Sequence, residues 1–364
     1  MKKLIQRAIC FLKATKIGRS KLARYRRSVY TNKNNAFKAM AEFGFGELSD
    51  EEKEAKFEDM RDCFLKGLFS FSEYFLYDLA HKSDDEKAAF IADFERMYYL
   101  DKLNTPWNYT VFGMKPMVAS RFAPYFKRDF LWINSYRDKE KLREFIGSHS
   151  EVFIKPISST FGYGITKVSR DETSEEQLDA LMRNYCRGLN GAIVEEAIRQ
   201  DERMKKLHPQ SINTLRMTTI RLNDETILFY PRMRVGRGDS YVDNARQGGI
   251  VNLLDSEGKI YHSADGNRVC YEVHPESGER LIGFQVPLWE EAVALAKELA
   301  QVIPTNRYTG WDLALGDKGW CLVEANARGQ WYPQLILRKG FRAEIEGYFQ
   351  RLGIKPPRAT KYVK

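Results

Sequence analysis

The chain has 364 residues, 43% hydrophobic and 29% charged, which gives room for about two or three globular domains with a sizeable core. No run approaches the roughly 18 apolar residues of a membrane span, and the short stretch Ala8 to Leu12 is followed by no small-residue cleavage signal, so neither a spanning helix nor a secretory leader is expected. The net charge of +9 conceals a split: residues 1–41 hold twelve Lys/Arg and no Asp/Glu, and the remainder carries 46 basic against 49 acidic residues.

The basicity therefore belongs to an N-terminal arm. Such an arm can meet nucleic acid, anionic lipid or an acidic partner. Leu4, Ile5, Ala8, Ile9 and Leu12 share one helical face with lysines and arginines elsewhere, a pattern able to lie on a membrane surface. A solvated basic helix is the plain alternative, and the scarcity of aromatics argues against base stacking. The five cysteines include no Cys-x-x-Cys pair, which excludes a Cys-rich zinc site and a disulfide framework and suits a reducing cytoplasm.

After the arm, Ser49 and Glu52 form a capping box, and Phe57, Met60, Phe64, Leu68, Phe71 and Phe75 recur at helical spacing. Ser83 to Glu86 repeats the cap before a second helix through Tyr99. From Thr110 the pattern becomes mixed. Strands are expected at 130–133, 152–156, 165–168, 192–196, 214–222, 226–235, 311–315 and 320–326. Helices are expected at 139–146 and 175–186 and after Pro287. Ser158, Ser159, Thr160, Gly162 and Gly164 belong to a loop of small residues between two strands. Its plain reading is a hairpin turn.

The sharpest constellation runs from Gly310 to Asn326. Asp317-Lys318-Gly319 suits a tight turn closed by a left-handed glycine. Pairing Gly316 with Trp320 sets Asp312 opposite Glu324, with Asn326 two residues along on the same face. Facing carboxylates destabilise a sheet unless a cation lies between them, and magnesium favours such hard oxygens. An exposed hairpin with scattered acids remains the alternative at this point. No P-loop, dinucleotide fingerprint or nucleophile elbow occurs.

These residues resemble the ATP-grasp superfamily, in which Asp and Glu-x-Asn on consecutive strands hold metal. Phe153-Ile154-Lys155-Pro156 resembles the strand whose lysine binds phosphate, the Ser/Gly loop resembles the cover over the phosphates, and Ile193 to Ile198 resembles the strand facing adenine. A narrower resemblance is to the sugar-transfer-associated ATP-grasp proteins found with surface polysaccharide genes. It rests on His208 to Arg216, Val242 to Ile250, and Gly310-Trp311-Asp312.

The resemblance implies an α+β ATP-grasp fold, two lobes sandwiching ATP, preceded by a helical region. Its expected segments are a basic arm 1–41, helices 42–105, an N-terminal α/β subdomain 106–150, a small lobe 151–198, a large lobe 199–350 and a basic tail 351–364. It implies a ligase that uses ATP and one or two Mg2+ to activate a carboxylate as an acyl phosphate for attack by an amine or other nucleophile. The substrates would be small or glycan-linked, and the protein cytoplasmic or peripheral at the inner membrane face. A phosphotransferase or a non-catalytic nucleotide-binding module are the competing readings.

For the site it implies Asp312, Glu324 and Asn326 as metal ligands. Lys155 and Lys115 would bind nucleotide, with Lys127 the rival to Lys115. Ser158, Ser159, Thr160, Gly162 and Gly164 would meet the phosphates. Glu195 and Glu196 would meet adenine, and Glu202, with Asp201 as rival, the ribose. Arg234 and Arg246 would serve the acyl phosphate and the oxyanion that follows. Arg216 stands equally as a structural ion-pair partner.

Overall fold

The computed structural model describes residues 16–157, 163–186, 191–240, 243, 248–331, 333–358 and 360–361. They form two compact units, residues 1–106 with 330–364, and residues 107–329. The boundary at 329/330 falls inside the segment 199–350. No helix among the described residues is long and apolar enough to cross a membrane.

The first unit is helical. Met40, Phe57, Met60, Phe71, Tyr74 and Leu335 meet in its core. The Ser49–Glu52 and Ser83–Glu86 capping boxes form as expected. The long helix expected through Phe75 is instead broken. It runs Asp50–Gly67, Leu68 takes a left-handed φ of 61°, and a new helix Phe71–Leu76 starts at a third capping box, Ser70 with Glu73. The second expected helix also divides, into Asp84–Ala89 and Asp93–Leu103. Arg342 ties the C-terminal helix Arg342–Arg351 to this bundle. It donates to Glu95 at 2.9 and 2.6 Å and to the carbonyls of Ala88 and Phe90.

The second unit holds two antiparallel sheets. The first is ordered β1-β4-β2-β3, with β1 Phe130–Ile133, β2 Glu151–Pro156, β3 Thr166–Ser169 and β4 Ala192–Glu196. Successive side chains on a strand face opposite ways. Val152 and Ile154 of β2 and Ala192 and Val194 of β4 therefore pack against Leu142, Ile146, Leu178 and Met182 of the covering helices Lys139–Ser148 and Glu175–Tyr185. Lys155 and Glu195 face the other way.

The second sheet is built from β5 Thr214–Arg221, β6 Thr226–Leu228, β7 Arg232–Val235, β8 Ile250–Leu254, β9 Ile260–Ala264, β10 Tyr308–Gly316 and β11 Gly319–Asn326. Its order is β11-β10-β5-β7-β8-β9, with β6 on β5. The strand expected over 226–235 is split around Tyr230, which has a left-handed φ of 43°. One face is apolar: Leu215, Met217, Met233, Trp311, Leu313 and Leu322 pack with Ala292, Ala296 and Leu299 of the helix Trp289–Leu299. The other face carries the charges.

Candidate active site

The hairpin of β10 and β11 has two registers. Near the turn Gly316 pairs with Gly319 and Leu315 with Trp320, one residue away from the expected pairing. A bulge between Leu313 and Asp312 then shifts the ladder, so that Asp312 does lie opposite Glu324 and Gly310 opposite Asn326. On its other side Asp312 pairs with Arg216 of β5, and Arg216 with Arg232 of β7. One row across the polar face thus reads Glu324, Asp312, Arg216, Arg232.

Asp312 is only 1% exposed. The Arg216 guanidinium grips both of its oxygens, with Nη2 at 2.8 Å, and Arg234 Nη2 approaches at 3.0 Å. Burial would raise the Asp312 carboxyl, but these arginines outweigh it and hold it below its ordinary range. Gly310 makes room for this grip, since a Cβ there would stand 3.1 Å from Arg216 Cδ. Arg234 also donates to Thr214 Oγ1 at 2.8 Å and lies 3.6 Å from Asp243. Burial pushes the Asp243 carboxyl up despite Arg234 beside it. Arg232 is buried, and burial together with Arg216 holds its guanidinium down to about 9.

The segment before β5 explains this order. His208 Nδ1 meets Ser211 Oγ at 2.9 Å and Nε2 meets the Gly238 carbonyl at 2.9 Å. Asn213 Nδ2 donates to the carbonyls of Met204 and His208. His208, Ser211 and Asn213 are buried and brace the turn. Thr214 and Arg216 then leave it toward Asp243 and Asp312.

The first sheet supplies the facing cations. Lys155 Nζ donates to Glu195 Oε2 at 2.9 Å, and Arg128 Nε reaches the same oxygen at 2.9 Å. Arg128 Nη1 also donates to the Leu322 carbonyl of β11 at 2.7 Å, which joins the two sheets. Glu195 is 3% exposed; burial alone would raise it, but Arg128 and Lys155 hold it at about 2. Lys115, half-buried on the helix Lys115–Arg121, is lowered by burial, raised by Glu324 and Glu195, and lowered by Lys155. It stands between the acidic hairpin and the lysine strand.

Lys115, Lys155, Glu195, Arg234, Asp312 and Glu324 are therefore brought together. The carboxylate of Glu195 is taken by two cations, and its main chain lies in the ladder between β1 and β2. Glu196 points the opposite way. It lines a cleft of about 480 Å³ with Phe153, Ala197, Ile198, Glu202 and Gln210. Asp201 caps a short helix and pairs with Arg203, and Lys127 reaches the Lys318 carbonyl at 3.2 Å. Gly164 has a φ of 72°, and its carbonyl accepts from Tyr185 at 2.8 Å. Ser158, Ser159, Thr160, Gly162 and Arg246 lie outside the described residues. Sequence reasoning passed over Arg128, for which no local signal exists. It gave no role to Asp243, although the motif Val242 to Ile250 contains it.

The donor set suits a hard divalent cation. Glu324 and Asn326 are half-buried, and their side chains make no hydrogen bond among the described residues. The arginines occupy three of the roughly four lone-pair directions of Asp312, leaving one. Few protein oxygens with the rest from water and phosphate is the usual arrangement for magnesium.

The family profile for sugar-transfer associated ATP-grasp proteins matches residues 95–347. The chain belongs to this family. The ATP-grasp protein also resembles solved structures in fold alone. An N5-carboxyaminoimidazole ribonucleotide synthetase in its ADP complex is 14% identical, with a TM-score of 0.38 over 62% of this chain and 47% of that one. D-alanyl-alanine synthetase A from Vibrio cholerae is 13% identical, with a TM-score of 0.40 over 67% and 64%. The N5-carboxyaminoimidazole synthetase from Staphylococcus aureus, complexed with ADP, is 10% identical, with a TM-score of 0.43 over 74% and 60%. The chain thus spans less than two thirds of the length of each. No curated protein matches it by sequence.

Proposed function

We propose that this ATP-grasp protein is an ATP-dependent ligase that activates a carboxylate as an acyl phosphate for attack by an amine or other nucleophile. The observation that carries the reading is the cation cluster of Lys115 and Lys155 facing the oxygen cluster of Asp312, Glu324 and Asn326. Phosphoryl transfer asks mainly for positioning and charge neutralisation, and this arrangement offers both.

ATP enters between the two sheets. Its base meets the main chain around Glu196, its ribose Glu202, and its phosphates Lys155, Lys115 and the loop with Ser158, Ser159, Thr160, Gly162 and Gly164. Magnesium on Asp312, Glu324 and Asn326 would supply neutralisation and alignment of the phosphates. The substrate carboxylate attacks the γ-phosphorus and ADP leaves. Arg234 and Arg246 donate to the acyl phosphate and to the oxyanion formed when the nucleophile adds. Glu195 keeps Lys155 oriented, and Arg216 keeps Asp312 oriented. A glycan-linked or precursor substrate of surface polysaccharide is suggested by the family description. The basic arm 1–41 would bring the enzyme to anionic lipid.

The test is thermal unfolding with and without ATP plus magnesium, for the wild type and Glu324→Ala. Ligand at about a hundred times its dissociation constant adds about 2.7 kcal/mol. A magnesium-dependent shift in the wild type that vanishes in the variant is expected. No shift at saturating nucleotide refutes the nucleotide site. Product analysis follows: release of free phosphate with a joined product supports ligation, and a phosphorylated acceptor would mean transfer instead.

A further inference from the structure

A second group of metal-ligating side chains lies at the edge of the four-stranded sheet, away from Lys155. Asp129 immediately precedes β1, His149 lies two residues before β2, and Glu196 ends β4. These strands are neighbours in the order β1-β4-β2. One ligand atom from each residue lies within 4.8 Å of the other two.

The imidazole is set for a cation. Its Nδ1 lies 2.8 Å from the Phe145 carbonyl, which only accepts, so Nδ1 carries the hydrogen. Ser148 Oγ, 3.1 Å from the same nitrogen, adds a second contact there. Nε2 then presents a lone pair, and it stands 3.2 Å from Asp129 Oδ2. Two acceptors at that distance need a positive charge between them. A proton satisfies one carboxylate, but Glu196 brings a second. Glu196 Oε2 accepts from the Asp129 amide at 3.2 Å and has Lys318 Nζ at 3.6 Å, which leaves its other lone pairs available.

We propose that Asp129, His149 and Glu196 form a site for a borderline divalent cation of the zinc class, which ties the approaches to β1 and β2 to the end of β4. Imidazole nitrogen with two carboxylates favours such a metal over magnesium, which prefers oxygen throughout. The carbonyl behind Nδ1 is the usual outer support of a metal-bound histidine. Three protein ligands leave positions for water, and His149 and Glu196 line the 480 Å³ cleft through which the ion exchanges. The site needs no nucleotide, although it shares Glu196 and the cleft with the base and ribose contacts proposed for ATP.

The experiment is calorimetric titration of the full-length, metal-stripped protein with zinc chloride. It is run in excess magnesium, which occupies the hard-oxygen set at Asp312, and without nucleotide. One zinc per chain is expected in the wild type. Affinity should fall at least about tenfold in Asp129→Asn and in His149→Gln. Cobalt in place of zinc should give visible bands that His149→Gln abolishes. The Asp129 side chain is 76% exposed, so its variant tests the site without disturbing the fold, as circular dichroism will verify. Absence of stoichiometric binding in the wild type, or equal affinity in Asp129→Asn, overturns the proposal and leaves a proton-bridged His149–Asp129 pair.

Discussion

Replacing Glu195 by glutamine removes one negative charge from between two buried or half-buried cations. Lys155 and Arg128 both bond to Glu195 Oε2, and Arg128 and Glu195 are less than a tenth exposed. Stranding a buried charge costs about 3–5 kcal/mol. The protonation balance gives a similar size. A carboxyl held at about 2 against its ordinary 4.5 corresponds to about 3 kcal/mol at 1.36 kcal/mol per pH unit. Because the folded value is depressed, this stability is fully present above pH 4.5 and fades as the pH falls toward 2. For a unit of this size, a loss of about 3 kcal/mol lowers Tm by roughly 6–12 °C. Thermal unfolding of wild type and Glu195→Gln across that acid range reads both effects. The two curves should stand apart at neutral pH and converge on acidification. A variant within about 1 kcal/mol of wild type at pH 7, or a gap that does not close in acid, would refute the counter-ion role.

In the helical unit, Arg342→Ala leaves Glu95 buried without its guanidinium and frees the carbonyls of Ala88 and Phe90. A loss of about 3–5 kcal/mol is expected, read as a lower denaturant midpoint; a change below about 1 kcal/mol would show the clasp to be dispensable. Deleting residues 2–27 should abolish binding to vesicles rich in anionic lipid while leaving binding to neutral vesicles unchanged, measured by co-sedimentation. Equal binding before and after deletion would remove the arm from any membrane role.

Much of this fold was legible because local signals were strong. The strands 130–133 and 192–196 appear with the expected bounds, the first a short apolar run between Asp129 and Asn134, the second opening on three apolar residues after Gly191. Errors arose where a local stop sign was outvoted by periodicity. Pro231 sits inside the expected strand 226–235, and a proline without an amide donor marks its break. Ser70 with Glu73 is a cap signal inside an apolar stripe that continues past Gly67. The site itself depends on partners far apart in the chain. Arg128 and Glu195 are 67 residues apart, and Arg216 and Asp312 are 96 apart. No periodicity reports such pairs, because the sheet order brings them together.

The dislocation in the β10–β11 hairpin has a consequence for how this chain can change. Residues four apart on a regular strand share a face. Trp320 belongs in the apolar core and Glu324 beside Asp312, so an undisturbed strand could not satisfy both. Continuing the turn's own ladder would set Val323 opposite Asp312 and Glu324 opposite Trp311. The extra residue works like a vernier between two scales, letting the packing half and the acidic half keep separate phases. Ironing out the dislocation at constant length would therefore turn Glu324 away from Asp312 into the hydrocarbon interior, whereas deleting Val323 would shorten the strand and still leave the glutamate opposite Asp312.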